Sequence, residues 1–315
     1  MILGVDIGGT KCAVALGAAD GAIVARRSVQ TPAEAGPQAV LDRLIEMGRD
    51  LVAESGVPAV DAIGISCGGP LDTTTGIVHS PPNLPGWEAV PVRSLFEEAW
   101  PGIRVVLEND ANATAVAEWR WGAGRGTRHM AFLTMGTGIG GGLILDGRLY
   151  RGATDLAGEV GHQTILVNGP LCNCGKRGCL EALASGPAIA RLARDSRAYG
   201  RGRRLLEAAG GRAEDITARH VVDLAREGDA FCSSVLAEAG TYMGIGLANL
   251  IQTINPERVV LGTIAVHAGD LVLEPIRAAV REYAWQRAAD ACSIVAAQLG
   301  DGAQDLAAIA VTLDT

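Results

Sequence analysis

Aromatic side chains are scarce in this chain, at 4% of its 315 residues, while 42 positions are glycine and 48% are hydrophobic. That length is still enough to bury the cores of two domains, so the composition describes a globular protein rich in small residues and backbone turns. Positive charge is thin as well. No run of Lys or Arg occurs and the formal net charge is −8, which argues against a nucleic-acid surface. No segment reaches the roughly 18 apolar residues that a membrane-spanning helix needs. Met1 leads directly into Ile2-Leu3-Gly4-Val5-Asp6, without the basic and apolar regions of a secretory signal. The expectation is a cytoplasmic protein with neither membrane nor nucleic acid as partner. Seven cysteines is an odd number, and three of them have a better use than pairing, so reduced thiols are expected too.

Those three lie in the densest stretch of chemistry, Gly158 to Glu181. His162 stands ten residues before Cys172, and Cys172, Cys174 and Cys179 come next with Gly175 and Gly178 between them. One imidazole and three thiolates make a closed tetrahedral set for structural Zn²⁺, and the glycines permit the tight turns that gather them. The plainer reading is three isolated cysteines beside a core histidine, which this spacing disfavours. No ligand position is left open for water, so the ion would stiffen a wall rather than catalyse. Glu159, three residues before His162, would share its face on a helical turn, and Glu181 lies just past the last ligand.

In chain order, Ile2–Asp6 reads as a buried strand and Cys12–Leu16 as the returning one. Between them Gly8-Gly9-Thr10-Lys11 offers backbone N–H groups, a hydroxyl and a cation to a phosphate, with Asp6 able to hold hydrated Mg²⁺. An ordinary glycine hairpin is the alternative. Ile23–Ser28 is a third strand, hinged on Asp20-Gly21. Helical spacing predicts a helix from about Gly36 to Ser55. Ala62–Ser66 is the next buried strand, ending at Gly68-Gly69-Pro70, where a ligand could approach the backbone. Pro81–Trp87 is too proline-rich for regular structure, and Asn83 within it reads more readily as a turn residue than as a hydrogen-bonding arm. Val105–Leu107 runs into Glu108-Asn109-Asp110 and a helix to about Trp121. A carboxylate at such a junction sits at the carboxyl edge of a sheet, where α/β folds place ligands, although Asp110 could simply cap the helix.

A domain boundary is expected near Gly122–Gly126. Met130–Met135 then forms a strand, leading to Gly136-Thr137-Gly138-Ile139-Gly140-Gly141-Gly142 and a second strand at Leu143–Leu145. The formal G-x-G-x-x-G fails as a dinucleotide fingerprint, because the segment after it is β-like and turns at Asp146-Gly147 instead of opening a helix. It reads instead as a second phosphate cradle, paired with the one at Gly8-Gly9. Helices are expected at Ala184–Arg194, Val221–Arg226, across Gly244–Gln252 and at Leu271–Tyr283, with an exposed loop near Gly200–Arg212. Val259–Leu261 is a late strand turning at Gly262-Thr263. The helix near Asp305–Val311 is expected to return to the first domain.

Taken together, DIGGTK (Asp6–Lys11), ENDANA (Glu108–Ala113), TMGTGIGGG (Thr134–Gly142), EVGH with CNCGKRGCLE (Glu159–Glu181) and NPERVVLG (Asn255–Gly262) resemble the ROK family of bacterial sugar kinases and sugar-responsive repressors. The likeness spans nearly the whole chain, and its metal motif is the most specific part. It implies an α/β chain with the two-domain sugar-kinase/actin-like (ribonuclease-H-like) fold and ATP and sugar in an interdomain cleft. The expected domains are 1–121 plus about 300–315, and 122–299 with the zinc loop. One departure stands out: many relatives carry a run of glycines after Leu261, where this chain has Gly262-Thr263-Ile264-Ala265.

The resemblance implies an ATP-dependent hexose kinase, foremost a glucokinase. Asp110 would be the base that accepts the hydroxyl proton as the sugar attacks the γ-phosphoryl, in a reaction governed by positioning and charge neutralisation. Asn109, Glu159, His162 and Glu181 would hydrogen-bond ring hydroxyls, with Gly69 and Asn83 reaching from the other domain. Asp6, Gly8, Gly9, Thr10, Lys11, Thr137, Gly138 and Gly262 would serve ATP and its Mg²⁺, and His162, Cys172, Cys174 and Cys179 the structural Zn²⁺. A homo-oligomer, dimer or tetramer, is expected. An N-acylmannosamine or N-acetylglucosamine kinase is the alternative. A repressor is disfavoured, since family repressors carry an N-terminal DNA-binding domain and the phosphate hairpin here begins at Ile2.

Overall fold

The computed structural model describes residues 1–81, 83–196 and 201–313. The chain opens with strands β1 (Ile2–Ile7), β2 (Lys11–Gly17) and β3 (Ile23–Gln30), then helix α1 (Gly36–Ser55). Next come β4 (Ala62–Cys67), the short strands β5 (Leu71–Asp72) and β6 (Ile77–Val78), α2 (Val92–Ala99), β7 (Arg104–Asn109) and α3 (Asp110–Trp121). Strands β8 (Met130–Leu133), β9 (Gly141–Leu145) and β10 (Arg148–Leu149) precede a helical stretch: α4 (Glu181–Ala184), α5 (Gly186–Ser196), α6 (Arg203–Ala208), α7 (Ala218–Arg226) and α8 (Ala230–Ile254). The end of the chain holds β11 (Arg258–Leu261), α9 (Ile264–Ala268), α10 (Asp270–Tyr283), α11 (Gln286–Ala291), β12 (Ser293–Ala296) and α12 (Ala303–Ala310). Two compact units result: Met1–Arg128 with Gly142–Gly158 and Leu299–Thr315, and His129–Gly141 with Glu159–Gln298. Gly142–Gly158, expected from sequence with the second domain, thus clusters with the first unit. Among the described residues no helix is long and apolar enough to cross a membrane.

The first unit is built on a sheet in the order β3-β2-β1-β4-β7. Its first three strands form an antiparallel meander, and β1, β4 and β7 run parallel. The β2–β3 turn obeys its chemistry: Gly21 takes φ +89 and the Asp20 carboxylate accepts from the Ala22 N–H. Strand β4 is buried at every position, whereas the edge strand β3 alternates between half-buried and exposed, as a strand with one wet face must. The core gathers Leu3, Val5, Leu41, Leu44, Ile63, Ile65, Trp87 and Phe96. Each such side chain contributes about 1.5–3 kcal/mol when withdrawn from water. Helix α12 lies on this sheet so closely that a Cβ at Gly64 would come 1.8 Å from the Ala308 carbonyl oxygen. A glycine is required there for contact, not for its backbone angles. The C-terminal helix therefore does return to the first unit.

In the second unit β8, β11 and β12 are parallel neighbours. Behind them the long α8 packs on α10, and a Cβ at Gly244 would stand 2.6 Å from the Ile276 carbonyl oxygen. The expected strand Met130–Met135 stops at Leu133 because Thr134 already bonds across the glycine loop, donating from its N–H to the Gly140 carbonyl at 2.9 Å. The loop expected over Gly200–Arg212 contains a helix instead, α6, anchored by the fully buried Leu205. Its flanking arginines and glycines conceal that anchor in the sequence. Residue 200 itself lies outside the described residues.

Candidate active site

Within the first unit the candidate residues gather at the carboxyl ends of β1, β4 and β7. Register aligns them: Asp6 pairs with Ser66 and Ser66 with Glu108, while Ile7 pairs with Cys67 and Cys67 with Asn109. The parallel strands end together and deliver their last side chains to one edge. Asn109 caps α3, its side-chain oxygen accepting from the N–H groups of Ala111 at 2.9 Å and Asn112 at 3.3 Å. That leaves Asp110 in the first helical turn with, among the described residues, its other carboxylate oxygen uncommitted, while Oδ1 accepts from the Ala111 N–H at 2.8 Å. The capping role considered for Asp110 thus belongs mainly to Asn109.

The Gly68-Gly69 loop lies against this pair. A Cβ at Gly69 would come 3.1 Å from Asn109 Nδ2, and one at Gly68 4.0 Å from Asp110 Oδ2. The first glycine turn needs its glycines for close approach. Gly8 faces the Lys11 carbonyl oxygen, and a Cβ on Gly9 would come 2.4 Å from the backbone oxygen of Asn83. Asn83 sits in an exposed turn, and its own backbone meets the first glycine turn. Thr31 Oγ1 donates to the Gly8 carbonyl at 2.6 Å, pinning the turn. Thr10 and Lys11 are exposed beside it.

Electrostatics single out two acids. Desolvation, then repulsion from Asp110 and Asp305, pushes the Asp6 carboxyl up to about 7, against the Ser66 hydrogen bond and Arg26. Solvent reaches Asp110, yet the protein packed around it raises its carboxyl above the ordinary range, partly offset by the Ala111 N–H. Two oxygen-only groups whose charges are disfavoured in one place make a donor set suited to a hard, hydrated cation such as Mg²⁺.

The second unit carries the other candidates on three packed segments. The glycine loop is held by a Gly136 N–H to Gly138 carbonyl bond of 3.0 Å. Glu159 to His162 forms one tight 3₁₀ turn, which brings Glu159 Oε2 within 3.8 Å of His162 Nε2. This turn rests directly on the glycine loop, because a Cβ at Gly161 would stand 2.0 Å from the Ile139 carbonyl oxygen. Glu181 then joins the loop to the cysteine segment. Its Oε2 accepts from the Ile139 N–H at 3.0 Å, and its Oε1 accepts from Cys172 Sγ at 3.4 Å.

His162, Cys172, Cys174 and Cys179 present one ligand atom each, all within 4.8 Å of one another. Cys172 Sγ lies 3.8 Å from His162 Nδ1 and Cys174 Sγ 3.7 Å from Cys179 Sγ. Tetrahedral corners at Zn–S bonds of about 2.3 Å are about 3.8 Å apart, so the donor set fits that ion. Gly175 and Gly178 take φ +82 and +72, the turns that wrap the loop. Desolvation drives the Cys172 thiol up to about 12 and also raises Cys179, while the backbone N–H of Lys176 lowers Cys174. A metal would therefore displace protons on binding.

Sequence reasoning missed the cavity beside the glycine loop. About 460 Å³ in volume, it is lined by Gly136, Thr137, Pro187, Arg194, Thr217 and Arg219 among others, with Ile264 closing one wall. Gly262 is placed by its neighbours: Thr263 Oγ1 accepts from the Met135 N–H at 2.8 Å, and the Ile264 N–H donates to the Met135 carbonyl at 3.0 Å. Thr263 holds φ +51 there, a strained angle for a β-branched residue. That loop and Gly136 are adjacent, so the departure from the glycine run still lies at the same cavity. No local pattern could have announced Arg194 or Thr217, since they reach it from segments far along the chain.

Comparison with known proteins adds family context to this geometry. The ROK family pattern matches residues 2–314. A glucokinase of Thermotoga maritima is 36% identical over 310 residues, covering 98% of this chain and 96% of that protein. The solved ROK hexokinase of Thermus thermophilus superposes with a TM-score of 0.83 at 37% identity, covering 98% of this chain and 97% of the other. A ROK glucokinase of Streptomyces griseus, solved with glucose and AMPPNP, gives 0.81 at 34% identity, with 99% and 98% covered.

Proposed function

This chain belongs to the ROK family and has its two-domain sugar-kinase fold, and from that premise we propose how it works as an ATP-dependent glucokinase that converts glucose to glucose 6-phosphate. Kinship to glucokinases over nearly the full chain supports the activity. The observation that carries the mechanism is Asp110, a carboxylate at the start of α3 with one oxygen uncommitted and raised basicity. Asp110 accepts the proton of the sugar hydroxyl as that oxygen attacks the γ-phosphoryl of ATP. Asn109, with its Nδ2 beside Gly69, orients the sugar together with Asn83, Glu159, His162 and Glu181. Ring hydroxyls donate to the carboxylates in charge-assisted hydrogen bonds.

The nucleoside occupies the cavity next to Gly136 and Thr137, and the N–H groups of the two glycine turns, with Thr10 and Lys11, meet its phosphates. Asp6 would hold the Mg²⁺ that neutralises phosphate charge. His162, Cys172, Cys174 and Cys179 would hold a Zn²⁺ that fixes the sugar-facing wall. The seven unpaired cysteines suit a cytoplasmic enzyme, and we place it there as a homo-oligomer.

A coupled ADP-release assay over glucose, mannose, fructose, N-acetylglucosamine and N-acetylmannosamine tests the assignment. Glucose should give the highest kcat/KM. A higher value for either N-acylated sugar would transfer the chain to the N-acylhexosamine kinases.

Glu181 makes the two substrates' sites less separable than the motifs suggest. A Cβ at Gly138 would come 2.7 Å from Glu181 Oε2, so Gly138→Val should displace that carboxylate as well as block phosphate. Steady-state kinetics should show KM rising for ATP and glucose together, by about tenfold or more each. A rise confined to ATP would place Glu181 outside the sugar site.

A further inference from the structure

Next to the proposed base lies an ion pair of one buried and one half-buried side chain, and the motif does not contain its second member. Glu108, the residue before Asn109 on β7, is completely buried. One of its carboxylate oxygens accepts from the Asn109 N–H and from Asn112 Nδ2, both at 2.9 Å. The other accepts from Arg151 Nε at 2.7 Å. Among the described residues this is the one ion pair Glu108 makes. The two asparagines bracket Asp110, one before it and one two residues after. Apart from the ion pair, then, the carboxylate spends its hydrogen bonds on the turn that presents the base. A buried carboxylate is tenable only with compensation of charge and hydrogen bonds, and Arg151 supplies the charge.

Arg151 arrives from Gly142–Gly158, the stretch between the two parts of the second unit that clusters with the first. A second polar anchor holds that stretch in place: Asp155 accepts from the Thr73 N–H at 2.8 Å and from Thr73 Oγ1 at 3.0 Å. Neither residue is part of the motif that contains the base.

We propose that Arg151 is a positioning residue for the acceptor half of the reaction, acting through the Glu108 carboxylate to hold Asn109 and Asp110 in their working orientation. The inference rests on Asp110 being the base. Its reach is local: the N–H that Glu108 grips belongs to the residue whose side chain caps α3, so a shift of the carboxylate tilts the first turn of the helix. The hydrogen bonds of Glu108 run to Asn109, Asn112 and Arg151, so the change should be felt on the acceptor side and not in ATP binding.

The test is a set of variants assayed at saturating substrates and normalised to folded protein. Arg151→Met leaves Glu108 uncompensated, and kcat should fall between about tenfold and 100-fold. KM for glucose should rise, while KM for ATP stays within about twofold of the wild type. Arg151→Lys keeps a cation within reach of the carboxylate and should recover most of the rate, though not the fixed fork of the guanidinium. The pair Arg151→Met with Glu108→Gln removes the stranded charge and should outperform Arg151→Met alone. Should Arg151→Met fail to fold, the double variant and Arg151→Lys carry the comparison, each expected between the wild type and complete loss of rate. A normal kcat per folded molecule, or KM for ATP rising in step with the loss of rate, overturns the proposal in favour of a purely structural pair. Asp110→Asn run alongside keeps the two claims apart. If that variant is active the base assignment fails, and if it is silent while the Arg151 variants turn over normally only the positioning role fails.

Discussion

Asp110→Asn should lower turnover at saturating glucose and ATP by about 10²- to 10⁴-fold, while glucose binding measured by calorimetry stays close to that of the wild type. The substitution keeps the size of the side chain and an oxygen able to accept from the Ala111 N–H, the bond that now engages Oδ1. Helix α3 therefore keeps its start, capped as it is by Asn109, and what disappears is the proton acceptor. The same carboxylate should mark the acid limb of the wild-type rate profile. Desolvation raises its pKa and the base must be ionised, so activity should be lost, as pH falls, at a higher pH than an ordinary aspartate would give. A variant retaining more than about a tenth of the wild-type rate would remove Asp110 from the role of base.

The second large effect belongs to the cysteine loop. Removing bound metal, or changing Cys174 to Ser, should weaken glucose binding by about 10- to 100-fold, as loss of a ligand's support commonly does, and should lower the melting temperature as well. Geometry gives the reason. His162 turns Nδ1 toward the cysteine cluster and Nε2 toward Glu159, so the ion would orient the imidazole and fix its tautomer. Cys172 contacts Glu181 directly, and two of the groups proposed to face the sugar thus lean on the candidate ligand set. ATP should be affected less, because the cysteine segment reaches the second glycine loop at one remove, through the Glu181 carboxylate that accepts from both Cys172 and the Ile139 N–H. Glucose titrations and ATP kinetics on zinc-loaded, stripped and Cys174→Ser protein decide the matter. Normal glucose affinity with only a lower melting temperature would reduce the loop to a remote staple.

Much of this protein is written locally. Asp20-Gly21 and Asp146-Gly147 turn as their residues require, with Asp146 and Gly147 both at positive φ, because a tight hairpin needs that backbone region and few residues tolerate it. Helix α1 spans the range its apolar spacing predicts, since a repeat of 3.6 residues is a property of a single segment. The Cys172–Cys179 cluster could be read for the same reason: three thiols within eight residues need only a loop with glycines at its bends to meet. His162, ten residues earlier, joins them within that short reach. Tertiary structure decided the rest. It chose Asn109 rather than Asp110 as the main cap, leaving the acid's second oxygen uncommitted. It tied Glu181 to the glycine loop at Ile139, made Gly64 obligatory under α12, and brought Arg151 to Glu108 from 43 residues away. Each of these is a contact between segments whose separation along the chain carries no periodicity or spacing rule. Nothing in either segment alone favours the pairing; packing and charge compensation select it only once the sheet has set the two side by side.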